Sequence, residues 1–160
     1  MGRTKYNVDK NKEGRTYDGI VFDSQMEMKY YRDVILPRWR SGIIHQYELQ
    51  KKYILQPGFY RDGKYVQPIT YVADFYVEYS DGTSEVIDTK GFSDSVARMK
   101  RKMFWYTHPD KAYRWICYSK IDGNDENGGW CDYTYVQEQR KKRKKERALK
   151  NGTKGKKENG

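Results

Sequence analysis

Asp74, Asp88 and Lys90 lie in YVADFYVEYSDGTSEVIDTKG, residues 71–91, where two runs of strand-forming residues flank an Asp-Gly turn signal. Two carboxylates and an ammonium are the parts of a metal-dependent phosphodiesterase. Hard oxygens hold Mg²⁺ or Mn²⁺, the ion polarises a phosphate and acidifies its water, and an ammonium orients that water or stabilises developing charge. The ordinary alternative is two strand-end aspartates and a snorkelling lysine on a plain hairpin.

Turn length decides whether the aspartates can meet. Asp88 and Lys90 share a strand face with Val86, and alternation puts Asp74 with Val72, Tyr76 and Glu78, opposite Tyr71, Ala73, Phe75 and Val77. A two-residue Asp81-Gly82 loop pairs Tyr79 with Ser84 and sends the aspartates to opposite faces. A three-residue Ser80-Asp81-Gly82 loop, with Gly82 left-handed, pairs Tyr79 with Thr83 and sets Asp74 across from Asp88, with Cβ atoms about 5 Å apart. The three-residue turn is the geometric requirement of a metal site here.

The elements around the hairpin must position it. Ser24 followed by Glu27 is a capping-box signature opening a helix near Ser24, with Met26, Tyr30, Val34 and Met28, Tyr31, Ile35 as its stripes. Pro37 should end or kink that helix, and Gly42 should stop the turn after it. Ile43 to Leu55 reads as one long or bent strand, Tyr60 to Lys64 as a turn, Tyr65 to Tyr79 and Ser84 to Lys90 as strands, with Pro68 marking an edge or bulge. Ser93 to Thr107 reads as a second helix with Val96, Met99, Met103 and Phe104 as its apolar stripe, followed by a buried strand, Tyr113 to Tyr118. The run Trp130 to Val136 alternates as a strand does, and a basic helix follows it, fraying at Gly152. The order α-β-β-β-α-β predicts an α/β fold, a small mixed sheet flanked by helices.

The chain has 160 residues, room for one domain, and 16% aromatic residues, 16 of them Tyr, to build its core. Its net charge is +10, of which residues 137–160 carry +8 from 11 basic and 3 acidic side chains. The organisation expected is a flexible basic arm over 1–16, a folded domain over 17–136 and a basic tail over 137–160. A polycationic tail seeks polyanions, above all nucleic acid, through a salt-dependent attraction with little sequence information, here from Arg140, Lys141, Lys142 and Arg143. No run approaches membrane-spanning length and no signal peptide opens the chain, so a soluble cytoplasmic protein without a membrane partner is expected. Cys117 and Cys131 read as buried free thiols. His45 and His108 lack zinc-ligand spacing, and Asp122, Asp125 and Glu126 lack the full calcium-loop pattern.

The hairpin resembles the PD-(D/E)xK nuclease superfamily, with VADF at the Pro-Asp element and VIDTKG at the (D/E)xK element, Ala73 replacing the proline. FDSQMEMKYY, LQKKYILQPGF and KRKMFWY resemble small phage-encoded endonucleases akin to Holliday-junction resolvases, over about residues 17–110. The resemblance implies a restriction-endonuclease-like core and Mg²⁺- or Mn²⁺-dependent cutting of DNA, in particular branched DNA, by a homodimer in the host cytoplasm. It implies Asp74 and Asp88 as metal ligands, Lys90 as the catalytic lysine and Glu27 as the acidic residue of the first helix, the alternative for Glu27 being the helix cap. Gln50, in the matching LQ element, and the basic Arg98, Lys100, Arg101 and Lys102 of the second helix are the DNA-contact candidates, Lys100 on the apolar stripe leaning toward the site.

Overall fold

The computed structural model describes residues 12–123 and 127–154. Expectations for residues 1–11, for Asp125 and Glu126 and for the tail beyond residue 154 lie outside the described residues. Residues 12–16, assigned above to a flexible arm, form a helical turn, Glu13–Arg15, leading into a short hairpin, β1 (Thr16–Tyr17) and β2 (Ile20–Val21). The fold is mixed α/β, with helices and a five-stranded mixed sheet.

Helix α1 (Gln25–Tyr30) starts where the capping signature places it, with the Ser24 hydroxyl accepting from the Glu27 N–H at 3.1 Å. It runs into a π-helical segment, Tyr31–Ile35, and then α2 (Leu36–Arg40), so Pro37 neither ends nor breaks the helix. The widened turn accommodates a ring that would otherwise collide with the carbonyl four residues back. It also turns Tyr30, Tyr31, Val34, Ile35 and Leu36 into the core together. Gly42 (φ 78) closes the helix, and the Ile43 N–H returns to the Arg38 carbonyl at 2.9 Å.

Strand β3 (Ile44–Gln56) is the expected long, bent strand. The segment read as a turn is a hairpin of its own, β4 (Phe59–Arg61) and β5 (Lys64–Val66), closed by Asp62 (φ 51) and Gly63 (φ 72). Two successive left-handed residues are what a tight two-residue hairpin turn needs, and Asp and Gly supply them. Pro68, without an N–H, separates this hairpin from β6 (Ile69–Tyr79), so the strand begins four residues later than Tyr65.

β6 lies between β3 and β7 (Ser84–Thr89), antiparallel to both. The turn between β6 and β7 is the three-residue one: the Tyr79 N–H donates to the Thr83 carbonyl, and Gly82 has φ 84. Replacing Gly82 by valine, which is disfavoured in this region, should cost about 1–2 kcal/mol; a melting temperature unchanged from the parent would contradict that. After β7 the chain crosses through α3 (Ser95–Thr107), capped by Asp94, to β8 (Ala112–Tyr118), parallel to β7.

The chain divides into two compact units, residues 1–116 and 117–160. In the first, Phe104 of α3 is the hub of an aromatic cluster, its ring 5.1 Å from Tyr53, 5.7 Å from Tyr71, 4.6 Å from Tyr113 and 4.9 Å from His108. In the second, β9 covers Trp130–Asp132, after which α4 (Tyr133–Lys154) takes over the run that alternates to Val136 and extends past Gly152. Cys117 and Cys131 are free thiols, the first buried and the second half-buried, and burial pushes both pKa values up, Cys117 to about 12. Among the described residues no helix is long and apolar enough to cross a membrane.

Candidate active site

The β6–β7 ladder runs from Glu78↔Ser84 to Phe75↔Ile87 and stops there, and Asp74 and Asp88 are the next residues on the two strands. There side-chain bonds replace ladder bonds. The Asp74 N–H donates to Asp88 Oδ1 at 3.2 Å, and the Thr89 N–H and hydroxyl both donate to Asp74 Oδ2, at 2.7 and 2.8 Å. Asp88 Oδ2 is buried, lacks an aligned hydrogen bond and forms an ion pair with Lys90 Nζ. Burial, and then the charges of Asp88 and Glu27, hold the Asp74 carboxyl well above the usual range.

Strict alternation fails at this step. Tyr47 and Tyr53 on β3, and Tyr71 and Phe75 on β6, should each share a face, yet Tyr47 and Phe75 pack on Tyr31 and Tyr30 while Tyr53 and Tyr71 pack on Phe104. The expectation that Tyr71 lies opposite Tyr76 is therefore corrected, since both pack against the Phe104 cluster. The residue at the switch is Gln50, which stands between the Leu49↔Phe75 and Lys51↔Ala73 pairs, opposite Asp74, with φ 53. A non-glycine residue in that conformation costs energy that its surroundings must offset. Its reward is visible: Gln50 Nε2 donates to Glu27 Oε1 at 2.6 Å, so Gln50 is not a free strand glutamine.

Glu27 is 2% exposed. Its N–H caps onto Ser24, but its carboxylate accepts from the Asp23 N–H at 3.2 Å rather than closing the box on Ser24, and from Gln50. Burial, with smaller contributions from Asp23 and Asp88, raises its pKa to about 7 against the hydrogen bond from Gln50. The folded protein thus holds a proton that the unfolded chain releases near pH 4.5, so this group lowers stability as pH rises from about 4.5 to 7. Glu27→Gln should flatten that decline; a melting temperature that falls equally steeply in parent and variant over this range would contradict it.

Asp88 and Lys90 line a cleft of about 770 Å³ together with Tyr71, Tyr113, Trp115 and Lys100. Lys100 Nζ donates to the Thr70 carbonyl at 2.8 Å, which brings its charge to the cleft wall. Three residues not foreseen from sequence shape the floor. Trp115 Nε1 donates to the Tyr113 hydroxyl at 2.7 Å, and Tyr113 donates to Tyr71 at 2.8 Å. Burial and the adjacent Asp88 charge push the Tyr71 pKa far up, so it stays a neutral phenol. Thr89, which fastens Asp74, is the unnamed residue between Asp88 and Lys90; its hydroxyl was the available signal.

The other basic candidates divide. Arg98 and Lys102 are exposed, Arg98 bonding to the Ser93 carbonyl, whereas Arg101 lies over the rings of Trp105 and Trp115, at 4.5 and 4.3 Å. In the second unit Arg140, Lys141 and Lys142 are exposed, but Arg143 is held by Asp122 through bonds of 2.6 and 2.9 Å. Asp122 is therefore an anchor, also bonded to Ser119, and not merely a solvated loop residue.

Residues 3–122, three quarters of the chain, match the model of a family described as "Protein of unknown function (DUF1064)". The chain belongs to the DUF1064 family. The DUF1064 match takes in every residue of the cleft and leaves α4 outside it. No curated protein and no solved structure matches the chain.

The donor chemistry suits a hard divalent cation: two neighbouring carboxylates, raised proton affinity at Asp74, and a buried Asp88 whose Oδ2 already attracts the Lys90 ammonium. Asp74 and Asp88 would hold the ion, with Glu27 behind them. Among the described residues no three acidic, His or Cys side chains are gathered closely enough to enclose a metal, so Glu27 stands as a neighbour tied to Gln50 and Asp23.

Proposed function

We propose that this protein is a metal-dependent endodeoxyribonuclease that hydrolyses phosphodiester bonds in branched DNA, on a restriction-endonuclease-like core. The observation that carries the reading is that Asp74 bonds to Asp88 just past the last β6–β7 ladder pair, with Lys90 paired to Asp88 in an open cleft. The resemblance of VADF and VIDTKG to the PD-(D/E)xK elements supports it independently of geometry. A bound Mg²⁺ or Mn²⁺ would supply Lewis acidity toward the phosphate and its attacking water. The chain's own groups supply the rest. Asp74 and Asp88 present oxygens to the cation, Thr89 fixes Asp74, and Tyr71 and Tyr113 border Asp88 as neutral groups. Lys90 offers an ammonium for the water or the developing charge, and Lys100 places a second cation for a phosphate. The exposed cations of α4 add salt-dependent DNA affinity.

One observation favours a second reading, a non-catalytic DNA-binding protein: the Lys90–Asp88 pair and the Thr89–Asp74 bonds could serve as a structural clasp where three ligands do not converge. A panel of duplex, flap, fork and four-way DNA incubated with the protein and Mg²⁺ or Mn²⁺ separates the two. Cation-dependent nicking of branched substrates supports the nuclease. Nicking of every structure alike points to a general structure- or end-dependent nuclease, and binding without cutting of any DNA to the clasp.

A further inference from the structure

The apolar stripe expected to bury α3 is largely outside. Only Phe104 of it is fully buried, while Val96 and Met99 are 52% and 51% exposed, and Phe92, just before the helix, is 72% exposed. Phe92 follows Gly91 on the lip of the cleft that contains Asp88 and Lys90, and Val96 and Val72 border the same cleft. Leaving a phenylalanine there exposed has a standing cost in water, which a ligand with a flat apolar face removes.

Charge selects that ligand. Between Ser95 and Thr107 the helix carries Arg98, Lys100, Arg101 and Lys102 and no carboxylate. A second copy docked through this helix would set like charges against each other, whereas a chain of phosphates bearing flat bases complements both Lys100 at the cleft and the apolar side chains. In paired duplex DNA the base faces are hidden in the stack; unpaired nucleotides offer them.

We propose that Phe92 is a specificity-determining residue that stacks on an unpaired base beside the bond presented to Asp88 and Lys90, so that the cleft selects DNA with unpaired nucleotides at a branch. This deepens the nuclease reading and rests on it for the role of the cleft. Base–aromatic stacking of about 1–3 kcal/mol corresponds to a roughly 5- to 150-fold loss of affinity on truncation to alanine.

The test measures binding without divalent cation, using the full chain, a fluorescent duplex and the same duplex with a 3-nucleotide gap carrying 2-aminopurine. Phe92→Ala should weaken binding to the gapped DNA at least fivefold and abolish the 2-aminopurine quenching, while duplex affinity stays within twofold and Phe92→Trp restores both signals. Equal effects on the two DNAs, or none, would overturn the proposal. So would a parent dimer, seen by sedimentation, that Phe92→Ala splits without changing DNA preference. The outcomes separate from those of the nuclease reading: Phe92-dependent selection without cation-dependent nicking would sink the nuclease alone, nicking with unaltered selection would sink the stacking role alone, and failure to bind either DNA would sink both.

Discussion

Lys90→Ala should eliminate detectable hydrolysis, a loss of at least about 10²-fold, the scale expected when a preorganised charge is removed from a water-poor site. The same substitution also strips the cation from Asp88, whose side chain is 1% exposed. An unpartnered buried carboxylate is costly, and stability should fall by about 2–3 kcal/mol, less than for a sealed pair because the Lys90 side chain keeps 21% exposure. Asp88→Asn separates the two effects. It removes a cation ligand while keeping the shape and an oxygen for the Asp74 N–H, so it should retain the fold and DNA binding yet share the loss of hydrolysis. Turnover rates with Mg²⁺ and Mn²⁺, on protein whose folding is verified by circular dichroism, provide the check. Parent-level turnover in folded Asp88→Asn would refute the catalytic assignment.

Phe104→Ala carries the largest expected effect on stability, about 3–5 kcal/mol, because the ring is fully buried and four aromatic neighbours close on it. For a domain of this size that is a large share of the total, so urea denaturation should show a much lower midpoint with an unchanged slope. Tyr71 and Tyr113 are in ring contact with Phe104 and also border the cleft, so cutting should suffer through misplaced groups even in the molecules that remain folded. An unfolding free energy within about 0.5 kcal/mol of the parent would show that the cluster is not a hub.

Much of this arrangement is legible in the sequence. Ser24 and Glu27 mark the helix start, and Asp81-Gly82 leaves two turn lengths, of which the one that a metal site at Asp74 and Asp88 requires is the one found. Local chemistry of that kind is written in neighbouring residues. What escaped depends on contacts distant in sequence. Pro37 reads as a helix breaker because the π-helical turn ahead of it is set by core packing of Tyr30 to Leu36. Gln50 reads as an ordinary strand residue because its left-handed backbone is favoured only by a carboxylate 23 residues away. The α3 stripe has the right period and faces the wrong way, since periodicity reports that one face is apolar without saying what covers it. Asp62-Gly63 signals a turn, but the strands on either side of it are only three residues long, too short for their pattern to announce the hairpin from Phe59 to Val66.

The central claim is that Asp74 and Asp88 form one cation site beside the cleft that Asp88 and Lys90 line. Electron paramagnetic resonance of Mn²⁺ titrated into the full chain tests it most directly. The account predicts protein-bound Mn²⁺ in the parent, displaced by excess Mg²⁺ and lost in both Asp74→Asn and Asp88→Asn. Mn²⁺ binding that is equal in the parent and in both variants, or no binding by the parent, would contradict it.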